Sequence, residues 1–150
     1  HFGRQFDAVV CLSSSILHMP TEEDVLQAIT SMRGALRKGG ILVLTQGTSD
    51  KQWQEKPRFI LAVNNQDFSR LFVIDYLEQG ALYNVLDIFH SPKQKGLHVW
   101  SVEYPLMLLK DDYTHLLRAA AFEHLKFYGS YGFETYDKLD SNHLIVVAVK

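Results

Sequence analysis

Residues 6–47 read FDAVVCLSSSILHMPTEEDVLQAITSMRGALRKGGILVLTQG, and the order of patterns within them decides the fold. Phe6 to Leu12 is a short, nearly continuous apolar run rich in Val, the pattern of a strand covered on both faces in a parallel sheet. Ser13, Ser14 and Ser15 end it. From Thr21 to Lys38, the apolar residues Val25, Leu26, Ile29, Met32 and Leu36 recur at helical spacing. Thr21 is placed to cap the N-terminus. Glu22, Glu23 and Asp24 fall where the helix dipole favours negative charge, and Arg33, Arg37 and Lys38 fall toward the opposite pole. Gly39 supplies a left-handed stop, and Gly40 leads into Ile41-Leu42-Val43-Leu44, a second buried strand. The whole stretch predicts a strand–helix–strand unit with a right-handed crossover, which is α/β architecture.

Downstream the period changes. Arg70 to Leu77 and Ala81 to Phe89 alternate or nearly alternate, and Glu78-Gln79-Gly80 between them has the length and chemistry of a hairpin turn. Leu97 to Tyr104 is a third such run, reached through the turn-forming Ser91 to Gly96, so an antiparallel meander is expected. Asp111 or Asp112 starts a helix with Leu116, Leu117, Ala120 and Ala121 facing inward, and two strands follow near Leu125–Tyr128 and Leu144–Val149. There is no internal repeat, low-complexity tract or linker, and the chain reads as one domain with 48–105 as an inserted antiparallel, cap-like sheet. It begins at His1 without a methionine, and a turn-like Phe2-Gly3-Arg4-Gln5 runs straight into the first strand, which points to a fragment.

Composition narrows the function classes. At 150 residues, 47% hydrophobic and 21% charged, the chain has enough apolar material for a packed core, unlike disordered or coiled-coil sequences. Fifteen Lys and Arg against seventeen Asp and Glu give a net charge of -2, without the basic surplus that neutralises phosphates, so no nucleic-acid partner is expected. Cys11 is the sole cysteine, which excludes an intrachain disulfide and a multi-cysteine zinc site. No apolar stretch reaches the roughly 20 residues of a membrane-spanning helix, and no signal-peptide layout opens the chain, so no membrane association and a cytoplasmic location are expected.

Candidate chemistry lies first at the end of the opening strand, Cys11-Leu12-Ser13-Ser14-Ser15-Ile16-Leu17-His18. Ligands of open parallel sheets bind beyond the carboxyl ends of strands, and a plain polar turn is the alternative reading. A nucleophile elbow needs Gly-x-Ser-x-Gly, which is absent, and a thiol inside an apolar strand is usually inert. The seven histidines are scattered without His-Glu-x-x-His spacing, so no metal is expected. Asp75 and Asp87 lie on paired strands, where they can share a cavity for acid–base work or stand as salt-bridged strand charges. Arg58, Arg70, Tyr76, Tyr83 and Asn84 form a second candidate cluster, in which arginine forks suit carboxylates and aromatic rings seal a pocket; an ordinary amphipathic sheet is the alternative.

The segment FDAVVCLSSSILHM, the capped helix and ALRKGGILVLTQGTSD together resemble the class I S-adenosylmethionine-dependent methyltransferases from their fourth strand through their fifth. In that family the fourth strand commonly begins Phe-Asp, and a Leu-(Lys/Arg)-(Pro/Lys)-Gly-Gly turn precedes the fifth, here Leu36-Arg37-Lys38-Gly39-Gly40. The tail is similar too: Leu116 to Phe122 resembles the helix and turn before the sixth strand, and Ser141 to Lys150 the seventh strand. The nearest pattern is the glycine N-methyltransferase-like branch, whose fourth strand ends in Cys-Leu-Gly-Asn-Ser-x-x-His.

The resemblance implies a Rossmann-like methyltransferase sheet, its C-terminal half, with an inserted antiparallel meander. It implies S-adenosylmethionine as cofactor, approached by Cys11, Leu12, Ser13 and His18, and a small-molecule methyl acceptor. His18 is the candidate for accepting or orienting a proton, Tyr76 for closing over the methyl group, and Ser14, Arg58, Arg70, Tyr83 and Asn84 for holding the acceptor. Ser14 stands where the branch has Asn, which argues against glycine itself. The family's glycine-rich loop and ribose-gripping acid have no counterpart before Phe6, so this chain alone is expected to bind cofactor weakly or not at all and to be inactive. Its opening strand then presents an uncovered edge through which the chain is expected to self-associate. A non-catalytic binding or assembly module on the same half-fold is the alternative function.

Overall fold

A computed structural model describes residues 3–150; His1 and the first residue of the Phe2–Gln5 turn lie outside the described residues. The chain divides into two compact units, one running to Glu55 and resuming at Leu108, the other spanning Lys56–Met107.

The first unit holds β1 (Phe6–Cys11), a 3-10 turn (Ser15–His18), α1 (Glu22–Ala35), β2 (Leu36–Gln46) and α2 (Asp50–Glu55). The second unit holds β3 (Phe59–Asn64), β4 (Phe68–Tyr76), β5 (Ala81–Ser91) and β6 (Gln94–Tyr104). The chain then returns to the first unit with α3 (Lys110–Ala119), β7 (Glu123–Tyr128) and β8 (Leu144–Val149). The first sheet has the order β1-β2-β8-β7; β1 and β2 are parallel, as the crossover through α1 requires, whereas β8 runs antiparallel to both its neighbours. The mixed α/β layout is the one the sequence predicts. Among the described residues no helix is long and apolar enough to cross a membrane.

Local chemistry accounts for most boundaries. The Thr21 hydroxyl oxygen accepts the Asp24 N–H at 3.1 Å, and Val25 and Ile29 on the inner stripe of α1 are fully buried. The helix stops at Ala35, three residues before the Lys38 expected from periodicity, because Leu36 already pairs with Phe6 in the sheet. Gly39 is left-handed at φ +74°, and the backbone at Gly40 packs so closely that a Cβ would meet the Asp7 carbonyl at 3.1 Å. The Leu-Arg-Lys-Gly-Gly segment therefore opens β2 with an irregularity in register beside the Phe-Asp start of β1, where Arg37 also pairs with Asp7. In α3 the Asp112 carboxylate caps the Leu109 N–H at 2.8 Å. Ala121 does not face inward as expected: it is exposed and left-handed at φ 61°, forming the turn that delivers buried Phe122.

β1 also departs from expectation. It pairs on one side only, with β2, and Val10 and Leu12 are 59% and 49% exposed, so neither a second neighbour nor a second covering layer lies over it among the described residues.

In the second unit, four antiparallel strands lie in sequential order. The Glu78–Gly80 turn closes with the Leu77 N–H on the Gly80 carbonyl, and a Cβ at Gly80 would sit 2.1 Å from the Tyr104 carbonyl, so glycine is required there. β3 has no counterpart among the expected strands. Period-two alternation puts Ala81, Tyr83, Val85 and Asp87 on the buried face and Leu82, Asn84, Leu86 and Ile88 on the other.

Candidate functional site at the carboxyl end of the first sheet

The parallel pair β1 and β2 ends in two loops that meet. Ser13 and Ser14 are both left-handed, at φ 56° and 64°, a conformation that L-residues with a Cβ adopt at a cost. Main-chain bonds hold them there. The Ser13 N–H donates to Thr45 Oγ1 at 3.0 Å and the Ser14 N–H to the Thr45 carbonyl at 2.8 Å, while the Gly47 N–H reaches Ser14 Oγ at 3.4 Å. Ser15 Oγ donates back to the Leu12 carbonyl at 2.6 Å and opens the 3-10 turn, whose Ile16 and Leu17 are buried anchors. His18 closes that turn on the exposed side. The Gly-Asn pair of the resembling pattern falls on the two left-handed positions, and those residue types tolerate that conformation best.

Beneath the turn lies a buried polar network that sequence reasoning missed. Gln46 Oε1 accepts from the Tyr113 hydroxyl at 2.7 Å, and its Nε2 donates to the Thr48 and Leu108 carbonyls at 2.7 and 2.8 Å. Gln46 is 3% exposed and Tyr113 1%, so the last turn of β2 is locked to α3 with the amide's donors and acceptor engaged. Burial, with Cys11 and Asp112 adding to it, drives the Tyr113 hydroxyl pKa far up, so it stays a donor. Burial likewise pushes the Cys11 thiol up, against a smaller opposing effect of the backbone hydrogen bond from Ile16, which keeps it protonated and unreactive. The only sequence signal for this network was a glutamine ending an apolar strand run.

The same end carries two further features. Asp50, at the start of α2, accepts from the Tyr136 hydroxyl at 2.6 Å and returns its own N–H to that oxygen at 2.9 Å. Because β8 pairs Leu144 with Gln46 and β7 pairs Tyr128 with Ile145, the β7–β8 connection leaves the sheet at this end as well. It presents Tyr131 and Phe133 largely exposed, with Phe133 left-handed at φ 62°.

The second candidate cluster does not hold together. Arg70, Tyr76 and Tyr83 lie on the buried face of the β3–β6 sheet, whereas Asn84 lies on the opposite face with Asp75, the partner of Arg58 at 3.0 Å. The same parity puts Asp75 and Asp87 on opposite faces, which overturns the shared cavity. Arg70 is committed to Asp87 by two bonds of 2.6 and 2.8 Å, and Trp100 Nε1 adds a third at 3.2 Å. The Arg70 hydrogen bonds hold the Asp87 carboxyl below the usual carboxylate range, outweighing its burial. Tyr83 is buried between Phe72 and Tyr104, with ring centroids at 5.8 and 5.4 Å, and the Tyr76 hydroxyl donates to the Pro57 carbonyl at 3.1 Å.

Comparison with known proteins places this geometry. No family model matches the chain. It is 29% identical over 154 aligned residues to a glycine/sarcosine N-methyltransferase of Aphanothece halophytica, a match covering 100% of this chain and 54% of that protein. Among solved structures, an S-adenosylmethionine-dependent methyltransferase from Clostridium acetobutylicum superposes with a TM-score of 0.80 at 10% identity, over 99% of this chain and 60% of the other. CalS10, an amino pentose methyltransferase from Micromonospora echinaspora solved with S-adenosylmethionine bound, gives 0.71 at 18%, over 99% and 60%. DesVI of Streptomyces venezuelae gives 0.70 at 19%, with the same coverage. The chain thus spans about half the length of the curated relative it matches.

Proposed function

We propose, from the premise that this chain has the fold of the C-terminal part of the S-adenosylmethionine-dependent methyltransferases, that it belongs to an enzyme transferring a methyl group to a small-molecule acceptor. The observation that carries this reading is the pair of left-handed serines at the carboxyl end of β1, stapled to Thr45 beside an exposed Leu12. S-adenosylmethionine brings an electrophilic methyl on a sulfonium, open to in-line displacement by an N, O or C nucleophile. The chain's residues then have to align the reactants, exclude water and handle one proton.

Leu12 offers an apolar surface toward the cofactor, with Cys11 and Ser13 flanking it. The Cys11 thiol, kept protonated by burial, does not compete as a nucleophile. His18, on the exposed side of the same turn, accepts or orients the acceptor's proton. Ser14 faces the acceptor in the position where the glycine-methylating branch has Asn, a departure that argues against glycine itself as the acceptor. Arg58, engaged with Asp75 at 3.0 Å on the second unit, is withdrawn from the role of holding an anionic acceptor group. Arg70, bound to Asp87, is withdrawn from it.

Calorimetric titration of S-adenosylhomocysteine tests the reading, with the chain's upstream coding region restored and the 150-residue chain as control. Micromolar binding by the long form alone supports it, and no binding by either sinks it in favour of an assembly module. In the long form, His18→Ala is expected to lower turnover by more than about tenfold; unchanged kinetics would remove His18 from the site.

A further inference from the structure

The connection between β7 and β8 begins with a tight tip, residues 129–134, that carries two aromatic rings into solvent. Tyr131 is 68% exposed and Phe133 71%. Single exposed apolar side chains need no explanation, but this pair is held in place. The Gly129 N–H donates to the Glu134 carbonyl at 2.8 Å and the Phe133 N–H to the Ser130 carbonyl at 3.2 Å, which closes the tip. The Phe133 ring stands edge-on to Tyr128 with centroids 5.4 Å apart, and the Tyr131 ring to His143 at 5.7 Å. Phe133 also keeps a left-handed backbone at φ 62°, which a bulky residue adopts at a cost, and strain of this kind collects where a protein meets a ligand.

The root of the tip is fixed as firmly. The Asp50 side chain, 14% exposed, accepts from the Tyr136 hydroxyl at 2.6 Å and from the Lys110 N–H at 3.3 Å. One carboxylate thereby ties the connection to the starts of α2 and α3. Burial, with the Asp50 hydrogen bond adding to it, drives the Tyr136 hydroxyl pKa up, so it remains a donor.

Position decides what the rings face. β7 and β2 both run antiparallel to β8, so the tip lies at the same carboxyl end as the Ser13–Ser14 turn, the end at which such sheets bind ligands. His143, against the Tyr131 ring, precedes Leu144, which pairs with Gln46, and Gln46 follows the Thr45 that staples the turn. One strand spacing plus the ring contact puts Tyr131 roughly 10 Å from the end of β2. Charge narrows the ligand further: Glu134, Asp137 and Asp140 outnumber Lys138 on the connection, and Lys138 is engaged by Asp111 at 2.6 Å.

We propose that Tyr131 and Phe133 are specificity residues that hold a flat ring of the methyl acceptor, and that the acceptor class is uncharged or cationic molecules roughly 10 Å long ending in such a ring. Asp50 and Tyr136 are positioning residues that act through the tip. The proposal rests on the methyl-transfer reading and narrows its acceptor, since a molecule as small as a single glycine does not span from the turn to the rings. Immobilised rings suit the task because a rigid aromatic surface gives contact area at little entropic cost.

The test is calorimetric titration into the long form saturated with S-adenosylhomocysteine. The probes are tryptamine, ethylamine as the same amine without the ring, and indole-3-propionate as the anionic counterpart. Tryptamine is expected to bind more than about tenfold tighter than ethylamine, and tighter than indole-3-propionate. Tyr131→Ala combined with Phe133→Ala, both at exposed positions, is expected to erase the advantage over ethylamine with far-UV circular dichroism and S-adenosylhomocysteine binding unchanged. Tyr136→Phe is expected to weaken tryptamine by about threefold and leave ethylamine and S-adenosylhomocysteine as they were, a selectivity that general loss of packing does not give. Tryptamine no tighter than ethylamine, a preference for indole-3-propionate, or an advantage that survives loss of both rings would overturn the proposal while S-adenosylhomocysteine binding keeps the methyl-transfer reading standing. Failure of S-adenosylhomocysteine to bind the parent would overturn that reading and the proposal with it.

Discussion

The turn after β1 and the Arg70–Asp87 pair on β4 and β5 are specified in different ways. In the turn, the decisive bonds run from backbone N–H groups of Ser13 and Ser14 to Thr45, and the Ser14 and Ser15 hydroxyls bond only to nearby backbone. On the strands, the decisive bonds join side chains to each other, with Asp87 taking two bonds from Arg70 and one from Trp100. A site that must present groups outward is better built the first way, because polar atoms that satisfy one another have nothing left to offer. This is why the charged cluster in the second sheet reads as a stability element despite having the residue types of a binding pocket.

The comparison is tested hardest at Asp87. Its side chain is 8% exposed, and Asp87→Asn keeps the shape while removing the charge from three hydrogen bonds. The expected loss is about 2 kcal/mol, below the roughly 3–5 kcal/mol of a fully buried pair because Arg70 remains about a third exposed. Denaturant unfolding followed by Trp100 fluorescence, in a Trp53→Phe background, measures it. The pH dependence has a definite sign. A carboxyl whose pKa is depressed by folding contributes fully above its ordinary value of about 3.9 and loses that contribution as pH falls through the lower folded value. The parent protein should therefore weaken in acid through this group, while the Asn variant lacks that component. An unchanged acid limb would show that the pair does not hold the second sheet.

How far the sequence could be read follows the same division. The strand–helix–strand unit was legible because its signals are local: a Val-rich run, a Thr cap with acids behind it, a Gly-Gly stop. Its helix end was misjudged by three residues because Leu36 is drawn into pairing with Phe6, a contact thirty residues away in sequence. The turn at Ser13 and Ser14 could be found through the resemblance, yet its geometry could not, since serine gives no hint of a left-handed backbone. Residue types alone group the meander's candidates together, whereas strand parity separates them: Tyr83 and Asn84 are neighbours in sequence and therefore on opposite faces of a strand. The Gln46–Tyr113 bond was out of reach, its two halves 67 residues apart.

The smallest effect sharpens the comparison from the other side. If backbone geometry specifies the turn, removing a side chain there should help. At φ 56° the Cβ of Ser13 costs about 1–2 kcal/mol, and glycine removes that penalty while losing roughly 0.5–1 kcal/mol to the greater freedom of the unfolded chain. The Ser13 hydroxyl is not what holds the turn, since its N–H makes the bond to Thr45 and survives the change. Ser13→Gly is thus expected to stabilise the first unit by about 0.5–1 kcal/mol in urea unfolding. Ser14→Gly should gain less, because Ser14 Oγ also receives the Gly47 N–H and that bond is lost. A destabilised Ser13→Gly variant would mean that the hydroxyl, not the backbone, holds the turn, and the contrast with the Asp87 cluster would disappear.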